Sequence, residues 1–199
     1  VKVKLASIAL PEHYVRGKTI KKNLDDLMAV AVAAHANEKF FSKKELENGK
    51  ELDWHKLIGK SLSWPYNQPI EIAKNTPPAK GKLLKGQGVE TKGKGKKKAK
   101  TFKPFEIIDG LHRLSIWRKL KQKDIEAVIK NIISPLDRYL EQYRTNSSHG
   151  MRLDKEARDE ALRVAHKQLG ASLSQCVKES GMSLSSIKRV MKDVQRKKG

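Results

Sequence analysis

The chain opens on an alternation. Val1, Val3 and Leu5 are apolar and Lys2 and Lys4 are charged, the period-two pattern of a half-buried strand. The period then lengthens. Leu24, Leu27, Met28, Ala31, Ala34 and His35 recur at three- and four-residue steps, which puts them on one face of a helix. Asn23 stands where such a helix is capped, and Asp25 and Asp26 fall in its first turn, where carboxylates suit the helix dipole. His35, at the end of the stripe, reads as a boundary side chain rather than a ligand. Ser42 and Glu45 have the spacing of a capping box. A further helical stretch surrounds Trp54, Leu57 and Ile58. Pro-Ile-Glu-Ile-Ala at 69–73, Phe-Glu-Ile-Ile at 105–108 and Ile-Glu-Ala-Val-Ile at 125–129 read as strands. Between the last two, Leu114, Trp117 and Leu120 share one side of a helix. Pro135 can open another that carries Leu136, Tyr139, Leu140 and Tyr143.

From Leu153 onward the strand pattern disappears. Asp154 can cap a helix bearing Ala157, Ala161, Leu162, Ala165 and Leu169, with Gly170 as its stop. A short helix from about Ser172 to Glu179 turns Leu173, Cys176 and Val177 inward. Ser180-Gly181-Met182-Ser183 then makes a tight turn, in which Gly181 can take the left-handed conformation. Ser183 can cap a last helix with Ile187, Val190, Met191 and Val194 inside. This is the grammar of a helix-turn-helix. Mixed elements followed by helices alone predict an α+β fold: a small mixed sheet with helices over residues 1–145, then an all-α helix-turn-helix unit over 146–199. No internal repeat is present.

Charge decides the partner. Of 199 residues, 43 are Lys or Arg and 22 are Asp or Glu, a net charge of +21. Such an excess repels itself and suits a polyanion. The hydrophobic content of 38% supports a core. A single cysteine, Cys176, excludes an internal disulfide framework and a multi-cysteine metal site, and at helical spacing it reads as a small core residue. The longest uncharged apolar run, 27–34, is far short of a membrane span. No secretory leader is visible, although the chain starts at Val1 without a methionine. The expected partner is DNA rather than a membrane, and the expected location is cytoplasmic and nucleoid- or DNA-associated. About half of the net charge lies in residues 74–103, where eleven lysines face one acid, Glu90. This stretch reads as a disordered basic insertion, either a solvated loop or a source of DNA phosphate contacts.

Two places carry chemistry. On the last helix, Ser183, Ser185, Ser186, Lys188, Arg189 and Lys192 point away from the inner face, where hydroxyls and cations reach base edges and phosphates. The plainer reading is a helical hairpin with a solvated basic face. The second place is Asp109-Gly110-Leu111-His112-Arg113, where a strand ends and a helix begins. Free amides at a helix N-terminus bind anions, and Gly110 lets a phosphate approach the backbone. Arg113 adds a fork of donors, and His112 can donate to the same oxygens or exchange a proton. Asp109 can cap the helix, orient His112 or hold a metal on a nucleotide. Asp109 and His112 are the catalytic candidates, and no metal ligand set is assigned. The plainer reading is a capped helix with a surface arginine.

Ile107-Ile108-Asp109-Gly110-Leu111-His112-Arg113-Leu114 resembles the "DGxHR" phosphate-binding turn of the ParB/sulfiredoxin superfamily, and the Pro-Ile strand ahead of it fits the same pattern. Asn146-Ser147-Ser148-His149-Gly150-Met151-Arg152-Leu153 resembles the "N-x-x-H-G-x-x-L" segment that joins a ParB-like domain to a helix-turn-helix in regulators of the StrR kind. The resemblance covers residues 1–194 apart from the insertion, with its three parts in the right order. It implies a ParB/sulfiredoxin-like domain followed by a DNA-binding module. It implies that Gly110, His112 and Arg113 hold nucleotide phosphates, with Asn146 and His149 beside them. The cofactor it implies is a nucleoside triphosphate, CTP or ATP, with Mg2+, and the assembly it implies is a homodimer on DNA. An Arg16-Gly17 pair loosely resembles the first nucleotide-contacting segment. Two departures stand out. Thr145 precedes Asn146, so the Glu of the "E-N-x-x-R" motif is absent, and His149 replaces its Arg. Both weigh against nucleotide hydrolysis. Leu111 occupies the position of the sulfiredoxin cysteine, which excludes that activity.

The leading expectation is therefore a ParB-like DNA-binding protein, a partition factor or a transcription regulator, with a nucleotide at the 109–113 turn. The alternative is a ParB-like nuclease or a nucleotide-dependent phosphotransferase. Phosphoryl transfer needs metal-held carboxylates and a positioned base, and Asp109 is the one acid in the motif. Glu12, Glu71 and Glu106 join it only if the fold brings them near.

Overall fold

The computed structural model describes residues 1–15, 21–48, 51–75, 102–148 and 153–192. The centre of the basic insertion, the Arg16-Gly17 pair, His149 and Val194 lie outside the described residues. Five strands form one mixed sheet: β1 (Lys2–Lys4), β2 (Ile8–Ala9), β3 (Ile70–Lys74), β4 (Phe105–Asp109) and β5 (Asp124–Lys130). Their order is β1-β5-β3-β4-β2. β1 is antiparallel to β5, with Val3 opposite Ile125. β5 is parallel to β3, and β3 is antiparallel to β4, with an irregularity between Glu71 and Ile72. The two-residue β2 lies parallel to β4 at the far edge. It is too short to leave a periodicity in the sequence.

The helices are α1 (Lys21–Ala34), α2 (Lys43–Glu47), α3 (Leu111–Lys119), α4 (Pro135–Ser148), α5 (Lys155–Lys167), α6 (Leu173–Ser180) and α7 (Leu184–Lys192). One sheet face, built by Ile70, Ile72, Ile107, Ile125 and Ala127, packs on Met28, Ala31 and Val32 of α1 and on Leu114 and Trp117 of α3. α1 already includes Lys21 and Lys22, so Asn23 is a helical residue and not the cap. Val32 is buried in the stripe and Ala34 is exposed. His35 is 4% exposed. Its Nδ1 donates to the Ala31 carbonyl at 2.7 Å, which leaves Nε2 to accept from Ser63 Oγ at 3.3 Å. It is a satisfied core histidine. Ser42 and Glu45 do close a capping box at the start of α2. Around Trp54 the helical stretch is a single 3-10 turn, Trp54–Leu57, capped by Asp53.

A second core holds the C-terminal helices together. Tyr139, Leu140 and Tyr143 of α4 meet Ala161, Leu162 and Ala165 of α5, Cys176 of α6 and Ile187 of α7. α4 runs unbroken through residues 145 and 146, so the sheet and the C-terminal helices meet along a helix. Its other side faces the sheet with polar groups. Arg138 donates to Asn75 Oδ1 at 2.6 Å and to the Lys74 carbonyl at 2.8 Å, and stands 3.6 Å from Glu106. Burial pushes the Glu106 carboxyl up, and the Arg138 guanidinium opposes that. Lys130 bridges Glu71 at 3.2 Å and Glu141 at 3.4 Å. Gln142, fully buried, reaches the Ile107 carbonyl at 3.4 Å.

In the C-terminal unit the local signals act as written. Asp154 accepts from the Ala157 amide at 2.7 Å to start α5. Gly181 adopts φ +67° and its amide closes α6 on the Val177 carbonyl, a left-handed cap that a side chain resists. No helix among the described residues is long and apolar enough to cross a membrane.

Candidate phosphate turn and nucleic-acid interface

β4 ends at Asp109, and Gly110 starts α3 at φ +90° and ψ +27°. No side chain caps α3. The glycine is required twice over. Its backbone is left-handed, and a Cβ there would lie 2.6 Å from Ile70 Cγ2 and 3.1 Å from the Arg113 guanidinium. The space in front of Gly110 is thus taken partly by Arg113. That side chain donates from Nη1 to the Gln68 carbonyl at 2.6 Å and the Pro69 carbonyl at 3.1 Å, and from Nη2 to Asp109 Oδ2 at 2.9 Å. The fork that the sequence reading directs at phosphate is closed on the protein's own oxygens. The physical reason is proximity in the fold: the chain entering β3 leaves two carbonyls uncovered, and a guanidinium one turn into α3 reaches both. Asp109 is likewise spent on Arg113. It does not cap α3. His112 is half-buried in the first turn of α3.

Asn146 is 5% exposed and donates from Nδ2 to the Gln142 carbonyl at 2.7 Å, one turn back in α4. Arg138 meets the start of β4 and Gln142 its middle, so α4 runs along β4 in the same direction. Asn146 comes one turn further, toward the end of β4 that carries Asp109. The Asn146 side-chain amide is turned to its own helix. Gln142 Oε1 is buried with no partner. Sequence reasoning passed over Gln142 and Arg138, although Arg138, Gln142 and Asn146 form a polar stripe at four-residue spacing beside the tyrosines.

The nucleoside triphosphate implied by the motif fits only in part. An uncapped helix start behind a left-handed glycine suits a phosphate. A divalent ion finds less. Among the described residues no three His, Cys, Asp or Glu side chains gather as a metal-holding group, and Glu106 and Glu71 are committed to Arg138 and Lys130.

The second place is α7. Ile187 and Val190 are buried, while Ser183, Ser185, Lys188, Arg189 and Lys192 are exposed and Ser186 is half-buried. Arg163 of α5 donates to the Val190 carbonyl at 2.9 Å and fixes the helix from behind. Ser183 Oγ accepts from the Ser186 amide at 3.3 Å, and it lies 2.9 Å from Ser185 Oγ and 3.0 Å from Ser186 Oγ. The three hydroxyls form one small cluster at the helix start. Lys188, Arg189 and Lys192 take part in no ion pair among the described residues.

A chain of charges joins the two units. Glu71, Lys130 and Glu141 lead to Arg144, whose Nη1 lies 2.8 Å from Glu141 and whose Nε and Nη2 grip Glu179 of α6 at 2.6 and 2.8 Å. The hydrogen bonds from Arg144 hold the Glu179 carboxyl below its usual range, against a smaller upward push from burial.

No protein-family model matches the sequence, and no curated protein matches it. The chain is similar in course to two solved structures of the C-terminally truncated chromosome-partitioning protein ParB from Caulobacter crescentus. One is complexed to the centromeric parS site, with 11% identity and a TM-score of 0.45, covering 96% of this chain and 70% of the other. The second is complexed with CTP-gamma-S, with 10% identity and a TM-score of 0.41, covering 96% and 76%.

Proposed function

We propose that the chain is a ParB-like DNA-binding protein in which α6 and α7 act as a helix-turn-helix and α7 enters the major groove. The observation that supports this most is the division of α7. Its inner face is buried on α5 and α6, and its outer face carries Lys188, Arg189 and Lys192, which have no ion-pair partner among the described residues. A three-residue connection led by Gly181 sets the angle between the two helices. Exposed cations further along α7 serve phosphates and fix register, and the serines at its start serve base edges. A second copy of the chain on a two-fold site follows from the usual geometry of such modules.

The 109–113 turn is proposed to hold a phosphate of a nucleoside triphosphate, CTP or ATP, through the α3 backbone and His112. Arg113 acts there as the clasp of the turn instead of the ligand's fork. Partition and transcription control both fit this reading, and no step of hydrolysis or strand cleavage is drawn from it.

Methylation interference tests the docking mode. Guanine N7 lies in the major groove. With a duplex selected from a random pool, methylation at N7 is expected to block binding at two or three successive positions. Interference confined to adenine N3, in the minor groove, would overturn the role given to α7. Calorimetric titration with CTP and ATP, with and without DNA, tests the turn.

A further inference from the structure

α3 has two ends. The Gly110 turn stands at its start, and a concave cavity of about 370 Å³ opens at its other end, between residues 59–64, the 121–126 segment and β1. The nine residues of α3 place the two about 14 Å apart. The volume lies within the roughly 300–1,000 Å³ of small-molecule sites. The wall is built rather than incidental. Gln122 accepts from the Leu62 amide at 3.3 Å and donates to the Lys60 carbonyl at 2.8 Å and the Leu120 carbonyl at 3.0 Å. One side chain thus pins the 60–62 strand of loop to the end of α3.

We propose that this cavity binds a nucleotide unit, free or at the end of a single strand, as a site separate from the Gly110 turn and from α7. Three features of its lining argue for that chemistry together. Lys2, Lys60, Lys121 and Lys123 all line it, all are exposed, and none takes part in an ion pair among the described residues. Four ammonium groups around one hollow suit a phosphate. Trp64 and Trp117 also line it, with ring centroids 5.0 Å apart, edge to face. Trp117 is buried and backs the wall, and the half-buried Trp64, whose ring nitrogen is already spent on the Gln68 carbonyl, is the ring that offers a π surface to a base. Asp124 and Glu126 complete the lining and can accept from sugar hydroxyls or an exocyclic amine. An inorganic anion would use the lysines alone and be repelled by the two carboxylates. A duplex is too large for the hollow.

Lys121 is the sharpest sign. It has φ +53°, the one non-glycine among the described residues with a positive φ. It closes α3, with its amide on the Arg118 carbonyl at 3.0 Å and the Gln122 amide on Trp117 at 3.1 Å. Glycine holds that position at less cost. A lysine kept there carries an ammonium to the rim of the cavity, and strain of this kind gathers at binding sites.

The test uses the full chain carrying Lys188→Ala and Arg189→Ala, so that α7 contributes nothing. AMP and 5′-phosphorylated oligothymidylate are titrated while the Gln122 side-chain amide and the Trp64 indole signals are followed by NMR. Saturable shifts at both groups are expected with at least one of the two ligands, and the stronger of them identifies the source. Lys60→Ala and Lys121→Gly should each weaken binding about threefold to fivefold. Lys121→Gly should also raise the melting temperature, because it relieves the left-handed backbone, so a loss of affinity there is not a loss of fold. Equal shifts from inorganic pyrophosphate or an oligoglutamate would overturn the proposal. Nucleotide affinity unchanged in both variants would overturn it too, and would leave the 109–113 turn as the only nucleotide site to consider.

Discussion

The 109–113 turn and the front of α7 look alike in sequence: each begins a helix and each carries an arginine within its first two turns. In the fold they differ in where the cation goes. Arg113 finds two backbone carbonyls and Asp109 within 3.1 Å and turns inward. Arg189 and its neighbours Lys188 and Lys192 have no acceptor on the protein among the described residues and stand exposed. A cation serves a ligand when its own fold leaves it nothing to bind. On the proposed reading Arg113 serves stability and Arg189 recognition, and substitutions can pull the two apart.

The largest effect is expected at Gly110. Replacing it with Ala adds a left-handed strain and a contact of 2.6 Å with Ile70, and should cost about 3 kcal/mol in chemical denaturation. A wild-type midpoint would mean that the turn relaxes freely. Arg113→Ala follows, with a loss of about 2 kcal/mol as two carbonyls and a carboxylate lose a charged donor. Lys in its place should restore only part, because it lacks the fork. If the variant melts like the wild type but loses nucleotide affinity, Arg113 turns outward in solution and the contrast with α7 disappears.

A smaller effect is expected where the two units are tied. Arg144 is half exposed, so solvent screens its grip, and a double-mutant cycle with Glu179 should give about 0.5–1 kcal/mol. The sign with pH is fixed by the lowered carboxyl of Glu179. Its contribution is fully present above the ordinary value of 4.5 and is lost as pH falls through the lower folded value. Glu179→Gln should therefore flatten the acid limb of the stability curve, read by melting temperature from about pH 5 downward. The smallest stability effect is expected at Lys188 and Arg189. Each change to Ala should move stability by less than about 0.5 kcal/mol, and a larger loss would show that these side chains have a structural partner.

What could be read from the sequence follows the range of the forces involved. Caps and turns are local, and Ser42 with Glu45, Asp154 with Ala157 and Gly181 hold as their spacing predicts. Longer strands and helices declare themselves by period. The direction of Arg113 does not, because its acceptors at Gln68 and Pro69 are 45 and 44 residues away in the chain. The same holds for α4: its tyrosines advertise the second core, but that Arg138 and Gln142 would meet β3 and β4 depends on a sheet order, β1-β5-β3-β4-β2, that no local pattern encodes. Asn23 fails as a cap for the opposite reason, since a good local signal was overrun by a helix that starts two residues earlier.

The role of α7 is tested most directly by salt. Binding to a selected duplex is measured by fluorescence anisotropy over a range of salt concentrations, for the wild type and for the Lys188→Ala, Arg189→Ala double variant. Each phosphate contact contributes about 0.9 to the slope of log affinity against log salt. The double variant is expected to bind more weakly at every salt concentration, with its slope reduced by about 1.8, while its melting temperature stays that of the wild type. An unchanged affinity and slope in a variant that remains folded would contradict the assignment of α7 to DNA.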